Sequence, residues 1–232
     1  MTSALVSALA VDPVPPFAVI ELLGTVAFAV SGAAVAVRAG MDWLGVAVLA
    51  VVTAIGGGSI RDALAGQGPA RWITAPRPVA VALVTAAVVI ALAHRVPGVQ
   101  VDSWPAVVVA DAAGLAAFTI TGTQLSTDAG IGAPVAVLLG VVTGTGGGIL
   151  RDVLAGQRPL ILTADIYALA SLCGAACVTV LPRWHVGTGA ARWLAVALVL
   201  LLRLVAVRRR WSLPRFRAHQ PQRPDGGRPT VA

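Results

Sequence analysis

Long apolar segments, separated by short clusters of proline, glycine and charged residues, make up most of the chain. Seven of these segments are close to the 20 residues that an α-helix needs to cross the hydrocarbon core of a bilayer. The third is short for a full crossing, and we expect it either to extend back toward residue 75 or to thin the bilayer locally. The pattern predicts seven transmembrane helices, at residues 17–37, 43–60, 79–93, 106–125, 133–150, 164–181 and 186–207.

The composition of the 232 residues also favours a membrane protein. Apolar residues make up 57% of the chain and charged residues only 12%, with a mean hydropathy of +0.86. A soluble domain carries about 25% charged residues to cover its exterior. All 17 basic residues are arginine, which excludes Schiff-base chemistry and lysine-dependent phosphate loops. The predicted fold class is an all-α membrane protein with seven transmembrane helices.

The net charge of +7 is concentrated at the C-terminus. Residues 1–202 contain nine arginines and nine acidic residues, whereas residues 203–232 contain eight arginines and one aspartate. A basic segment directly after a hydrophobic span is typical of a cytoplasmic anchor that faces anionic lipid. Nucleic-acid binding is not expected, because the aromatic residues that stack on bases are scarce. With seven spans, this pattern places the C-terminus in the cytoplasm and the N-terminus outside the cell membrane.

A long internal repeat is the strongest signal in the sequence. Residues 21–69 align without a gap on residues 111–159 at a constant offset of 90, and 20 of the 49 positions are identical. The densest stretch reads GGGxxRDxLAGQxP in both copies. Each copy belongs to a group of three spans, so the second copy must enter the membrane in the opposite direction. The sequence therefore predicts two inverted three-helix repeats, whose halves meet near the middle of the bilayer as in many translocation paths.

These signals divide the chain into five parts. The seventh helix has no counterpart in the repeats, so we expect it to serve packing or assembly. The C-terminal residues are rich in proline, arginine, glutamine and glycine, which predicts a disordered tail. The parts are an N-terminal segment at 1–16, the first repeat at 17–93, the second, inverted repeat at 106–181, the seventh helix at 186–207 and the basic tail at 208–232.

The second helix of each repeat contains three consecutive glycines. In water each glycine destabilises a helix by about 1 kcal/mol relative to alanine, so a bend is expected at both triplets. Irregular backbone inside a bilayer survives only against protein or a water-filled cavity, which predicts that the triplets line a path. Alternatively, the small residues only allow helices to pack closely. A dinucleotide-binding fingerprint is excluded because no βαβ pattern surrounds these glycines. The triplets are Gly56, Gly57 and Gly58, and Gly146, Gly147 and Gly148.

Charged residues follow both triplets at the same spacing. Charges at membrane depth are costly unless they pair or meet water, so these residues are candidates for lining or gating a pore. Alternatively, the helices end near the membrane surface and water solvates the charges. The pairs are Arg61–Asp62 and Arg151–Asp152. A second set of possible pore-lining residues also matches between the repeats: Glu21 and Asp111, which line the path or cap a helix, and Thr53 and Thr143.

The remaining reactive residues do not form a recognisable catalytic or metal-binding set. Cys173 and Cys177 lie four residues apart in an apolar run, which is typical of core filling rather than a disulfide or metal site. The three histidines are scattered. No nucleophile, base and orienting group occur together, so we predict no enzyme, no catalytic residue, no metal site and no cofactor.

The chain resembles the trimeric intracellular cation (TRIC) channels in their prokaryotic branch. The resemblance covers residues 17–207 and rests on the seven spans, the inverted repeat and the doubled GGGxxRD motif with its trailing AGQxP. It implies a homotrimer in which each subunit has its own pore for monovalent cations, chiefly potassium, with the second and fifth spans kinked at the glycines. The Lys-Glu-Val motif of the animal members is absent from this lysine-free chain. The same tandem domain is also described as glycine-transporter-like.

The function predicted from these observations is passive flow of potassium through a pore between the two repeats. The family's pore and gate residues carry over onto the two glycine triplets and onto the two Arg-Asp pairs. A secondary carrier for glycine or another small zwitterion is the alternative, because inverted repeats also serve alternating access. A scaffold without transport is a third. The expected partners are membrane lipid and two further copies of the chain, and the expected cargo is a monovalent cation.

Overall fold

The computed structural model describes residues 18–95, 103–163, 166–209 and 211. The predicted N-terminal segment and almost all of the predicted tail lie outside these residues. Within the described residues, a 3₁₀-helix at Leu181–Trp184 links the last two of nine α-helices. These are α1 (Ala18–Arg38), α2 (Trp43–Leu64), α3 (Arg71–Thr74), α4 (Arg77–Arg95), α5 (Trp104–Asp128), α6 (Ala133–Leu154), α7 (Leu160–Thr163), α8 (Tyr167–Val180) and α9 (Thr188–Arg209).

Seven helices of the described chain are long and apolar enough to cross a membrane. They are α1, α2, α4, α5, α6, α9, and α8 together with the 3₁₀-helix that continues it to Trp184. The predicted all-α class with seven membrane helices is confirmed. The third membrane helix, α4, has 19 residues and extends beyond the predicted span at both ends. The short helices α3 and α7 were not predicted, and the division of the chain into five parts stays a prediction.

The four helices that carry the repeated sequence, α1, α2, α5 and α6, all end in the same way. A glycine with positive φ follows each of them, between +63° and +79°. After α2, the amide of Gly66 donates to the carbonyl of Ala63, and the amide of Gln67 donates to the carbonyl of Asp62. This is the Schellman pattern, which satisfies the last carbonyls of a helix and favours glycine at the left-handed position. The repeated AGQ sequence is therefore a helix stop.

The helices of each repeat pack on one another, and the repeats meet through matching helices. Helix α1 packs on α2 and α4 in the first repeat, and α5 packs on α6 and α8 in the second. Between the repeats, α1 contacts α5 and α2 contacts α6. The unmatched helix α9 packs on α5 and α8, and therefore lies against the second repeat.

The central contact between the repeats joins the two glycine triplets. A methyl group placed on Gly57 would overlap the carbonyl oxygen of Thr143, and one placed on Gly147 would overlap the carbonyl oxygen of Thr53. Adding 90 to Gly57 and Thr53 gives Gly147 and Thr143, so the two contacts are equivalent by the repeat. The pseudo-two-fold axis therefore passes between Gly57 and Gly147. The backbones of α2 and α6 approach closely here because neither helix has a side chain at the crossing.

The same symmetry relates the contact between α1 and α5. A methyl group on Gly114 would overlap the ring of Phe28, and one on Gly24 would lie 3.4 Å from the ring of Phe118. The two rings meet each other with centroids 5.3 Å apart and planes inclined at 34°. Two aromatic rings and two bare stretches of backbone therefore fill the centre of the molecule between the repeats.

The glycine triplets lie inside continuous helices. Both α2 and α6 run for 22 residues as α-helix through their triplets. The predicted bends are not confirmed and stay a prediction. The first two glycines of each triplet support the packing interpretation: Gly56, Gly57, Gly146 and Gly147 are buried against the facing helix.

Alanine at the crossing tests this account of the fold. We expect Gly57→Ala and Gly147→Ala each to lower the midpoint of thermal unfolding in detergent, because the added methyl overlaps a carbonyl of the facing helix. Overpacking of this kind costs about 1–3 kcal/mol. Loss of the helical circular dichroism signal measures the midpoint. Gly58→Ala is the matched control, since its methyl would meet only the Arg61 side chain, at 3.8 Å. Equal destabilisation by all three variants would contradict this packing.

Candidate functional site

An Arg-Asp ion pair lies near the C-terminal end of α2 and another near that of α6. In the first, Nε and Nη2 of Arg61 donate to Oδ1 of Asp62 at 2.9 and 2.6 Å. In the second, Nε of Arg151 donates to Oδ1 of Asp152 at 2.8 Å, and Nη2 lies 2.7 Å from the same oxygen. All four side chains are buried. These charges are therefore paired with each other and largely covered by protein, and a role in lining a pore stays a prediction.

The second oxygen of each aspartate binds the backbone of the following short helix. Oδ2 of Asp62 accepts from the amide of Arg71, at 3.0 Å, and Oδ2 of Asp152 accepts from the amide of Leu160, at 2.8 Å. These amides belong to the first residues of α3 and α7. The aspartate thus joins the end of one membrane helix to the segment that leads into the next. This connection explains why the sequence between aspartate and proline repeats so closely.

The first half-site consists of Glu21, Gly58, Arg61, Asp62 and Arg71. These residues line a cavity of about 50 Å³ between α1, α2 and α5. A larger crevice of about 380 Å³ adjoins it and shares Glu21 and Arg71 as lining residues. Glu21 and Arg71 are 3.8 Å apart and partly exposed, so they form a loose ion pair at the entrance. The first half-site therefore has room for water or a small ion.

The second half-site consists of Asp111, Gly148, Arg151, Asp152 and Tyr167. Oδ1 of Asp111 accepts from Nη1 of Arg151, at 2.8 Å, and from the hydroxyl of Tyr167, at 3.1 Å. Nη1 of Arg151 also donates to Oγ of Ser31 across the boundary between the repeats. Asp111 is fully buried, and Arg151 and Tyr167 are each 1% exposed. Side chains therefore occupy the position that the cavity occupies in the first half-site.

The two half-sites lie toward opposite faces of the membrane, because the repeats are inverted. Their main difference in sequence is at position 167. The residue 90 positions before Tyr167 is Arg77, which lies at the start of α4 and lines the outer crevice. The first half-site thus has no tyrosine at the equivalent position, and Arg77 lines the crevice outside its cavity.

The third glycine of each triplet faces a half-site rather than the helix crossing. A methyl group on Gly58 would have only the Arg61 side chain nearby. A methyl group on Gly148 would lie 2.9 Å from the Tyr167 hydroxyl oxygen and 3.4 Å from Oδ1 of Asp111. The triplet thus combines two roles, since the first two glycines allow the helix contact and the third leaves space beside the charges.

The structure brings most of the sequence-predicted residues into these two half-sites or the contact between them. Asp111 is the eighth residue of α5, so it is not a helix cap, whereas Glu21 lies in the first turn of α1. The hydroxyls of Thr53 and Thr143 each donate to a carbonyl one turn earlier, at 2.6 Å. Neither threonine lines the two described cavities, and a pore-lining role for them stays a prediction.

Sequence reasoning missed several polar residues of the half-sites. By charge, Arg203 was grouped with the basic residues 203–232, but it is buried within α9 beside the second half-site. An arginine within an apolar span was the signal for it. Tyr167 is the only tyrosine in the chain, yet it matches no residue of its type in the first repeat. The other missed residues are Ser31, Arg71 and Trp72. The indole N–H of Trp72 donates to the hydroxyl of Ser59.

The fold and the half-sites define a seven-helix membrane protein made of inverted repeats, and comparisons with known proteins agree. The family model described as "Glycine transporter" matches residues 18–94 and 108–183. The UPF0126 inner membrane protein YadS of Escherichia coli K12 is 41% identical over 198 residues, which are 85% of this chain and 94% of that protein.

Two solved structures are similar to the whole membrane domain. The TRIC trimeric intracellular cation channel orthologue from Rhodobacter sphaeroides is 34% identical, with a TM-score of 0.78 over 84% of this chain and 98% of that one. A second TRIC cation channel structure is 32% identical to this chain, with a TM-score of 0.76. The match covers 88% of this chain and 98% of that one. The chain therefore belongs to the TRIC family of membrane proteins, and the glycine-transporter family model matches the same region. The structures it matches are channels and not enzymes.

The two acidic residues related by the repeat should differ sharply in their effect on stability. Asp111→Asn removes the charge that compensates buried Arg151 and Arg203, and breaking a buried pair costs about 3–5 kcal/mol. Glu21→Gln removes only a loose and partly exposed pair, for which the cost is at most about 1 kcal/mol. Thermal unfolding in detergent measures both changes. A similar loss in the two variants would show that burial of the second half-site has no energetic consequence.

Proposed function

We propose that this protein is a channel for monovalent cations, chiefly potassium, and that it assembles as a homotrimer in which each subunit has its own path. The path runs from the first half-site, between the two repeats, to the second. The observation that supports it best is the pair of charged half-sites at symmetry-related positions on opposite sides of one central helix contact. The TRIC cation channels that the chain resembles are consistent with this activity.

One carboxylate of the first half-site, Glu21, is only loosely compensated. Asp62 neutralises Arg61 at 2.6 Å, whereas the nearest cation to Glu21 is Arg71, at 3.8 Å. Glu21 lines both the cavity and the outer crevice. Because Arg71 and Arg77 also line the crevice, a preference for cations there depends on the Glu21 carboxylate, which raises the concentration of cations at its own position.

Two features support assignment of this conformation to a closed channel. Phe28 and Phe118 meet in the centre, beside the contact between Gly57 and Gly147. Tyr167 and its partners fill the second half-site. Opening requires these side chains to separate and the two helices to bend or rotate at the glycines, where no side chain resists the movement. The predicted kinks thus belong to the open state.

We also propose that the N-terminus lies outside the cell membrane and the C-terminus in the cytoplasm. Exposed Arg208 and Arg209 end α9, and five further arginines follow them in the sequence. Arginines directly after a membrane helix are retained on the cytoplasmic side. In this orientation the first half-site faces outward and the second faces the cytoplasm.

Conductance in planar bilayers tests the channel. We expect unitary currents that reverse near the potassium equilibrium potential. Glu21→Gln should lower the unitary conductance about twofold or more in dilute salt, because it removes the carboxylate that concentrates cations. The difference should vanish in 1 M salt, where the screening length is about 3 Å. Glu21→Asp, which keeps the charge, is the matched control. Absence of current at every voltage would refute the proposal.

A carrier for glycine or another small zwitterion is the second candidate. The first half-site holds cationic and anionic groups around a cavity of about 50 Å³, so it offers partners to both a carboxylate and an ammonium group. The matching family model is described as a glycine transporter. Labelled-glycine counterflow in proteoliposomes distinguishes the two candidates. Saturable counterflow without single-channel currents would favour the carrier, and currents without counterflow would favour the channel.

A further inference from the structure

The seventh membrane helix places a buried arginine beside the second half-site. Arg203 lies in α9, outside both repeats, and is only 2% exposed. Its Nη2 is 3.9 Å from Oδ2 of Asp111, and its guanidinium carbon lies 4.5 Å from the centre of the Tyr167 ring. Arg203 therefore contacts both residues that seal the second half-site, through charge in one case and through a cation–π interaction in the other.

Tight packing one turn away holds Arg203 in this position. Ala195, Val199 and Arg203 recur every four residues and form one buried face of α9. A methyl group on Gly174 would overlap the side chain of Val199, so α8 and α9 are in close contact at this level. Because α8 also begins at Tyr167, the two partners are fixed relative to each other by the same pair of helices.

The charges of this cluster balance, but their hydrogen bonds are incomplete. Arg151 is shared between Asp111 and Asp152, which leaves Arg203 as the further cation near Asp111. Within the part of the chain that the structure describes, neither Oδ2 of Asp111 nor Nε of Arg203 has a hydrogen-bond partner. Buried charges are stable only when they are compensated, and orphaned polar atoms favour an arrangement that admits water. Charge compensation by Arg203 therefore opposes a tendency of the half-site to hydrate.

Among the described helices, none makes an equivalent contact with the first half-site. Helix α9 packs on α5 and α8 and has no counterpart among the repeats. Glu21, which corresponds to Asp111, is partly exposed beside the cavity and the crevice. The presence of the seventh helix on one repeat only thus coincides with the sealing of that half-site only.

We infer that Arg203 is a positioning residue that keeps the second half-site closed, so that the seventh helix controls access to the path from this side. Removing its charge leaves Asp111 undercompensated in a low-dielectric interior, and water enters to solvate the carboxylate. The Tyr167 ring also loses the cation that holds it in place. The hydration of the second half-site does not depend on the proposed channel function. The expected consequence, a higher open probability, does rest on that function.

Chemical accessibility measures this hydration without any ion current. Ser31→Cys, in a chain that also carries Cys173→Ala and Cys177→Ala, places a thiol beside Arg151. We expect a charged, membrane-impermeant methanethiosulfonate to label this thiol at least tenfold faster when Arg203→Gln is added. Arg192→Gln is the matched control, because Arg192 is also a buried arginine of α9 but lies near Gln124 instead. Its labelling rate should stay at the parent value.

Single-channel recording then measures the functional consequence. Arg203→Gln should raise the open probability several-fold and leave the reversal potential unchanged, whereas Arg192→Gln should change neither. Arg203→Lys, which keeps the charge but lacks the planar guanidinium, should have an intermediate effect and covers the case in which the glutamine variant does not fold. Labelling rates and open probabilities equal to those of the Arg192 variant would overturn the inference. If the wild-type protein carries no current, the proposed channel function fails, and the labelling rates still decide the role of Arg203.

Discussion

The close contact between α2 and α6 is the constraint on which the rest of the structure depends. Gly57 faces the backbone of Thr143, and Gly147 faces the backbone of Thr53, so each helix uses bare backbone as its contact surface. In lipid there is little hydrophobic gain from bringing two apolar helices together, and association depends on close packing. This contact sets the distance between the repeats and therefore the position of both half-sites relative to the centre.

Buried charge is tolerated here because the aspartate of each ion pair also accepts a hydrogen bond from a backbone amide. Asp62 binds Arg61 with one oxygen and the amide of Arg71 with the other, and Asp152 does the same with Arg151 and the amide of Leu160. Hydrogen bonds to a guanidinium and to a backbone amide offset part of the cost of removing the carboxylate from water. The repeated motif therefore has a structural role that a functional interpretation of its charges alone would overlook.

The two half-sites are formed by matching helices but by different side chains, and this gives them different properties. In the second repeat, Tyr167 fills the space beside Gly148, and Arg203 from α9 adds a charge that no residue of the first repeat matches. In the first repeat, the space beside Gly58 stays empty. Opening one half-site at a time suits both a gated channel and a carrier.

The sequence by itself determined the number of membrane helices, the inverted repeat and the positions of the candidate residues. These depend on apolar length and on direct repetition, which are properties local to the chain. The Schellman motifs at Gly40 and Gly66, which end α1 and α2, also depend on local sequence, although they were not predicted. Only the tertiary structure decided that two glycines of each triplet serve helix contact, that Arg203 is buried, and that Tyr167 closes one half-site. Those outcomes depend on which side chain of a distant helix occupies a given space, and the spacing of residues along the chain carries no information about that.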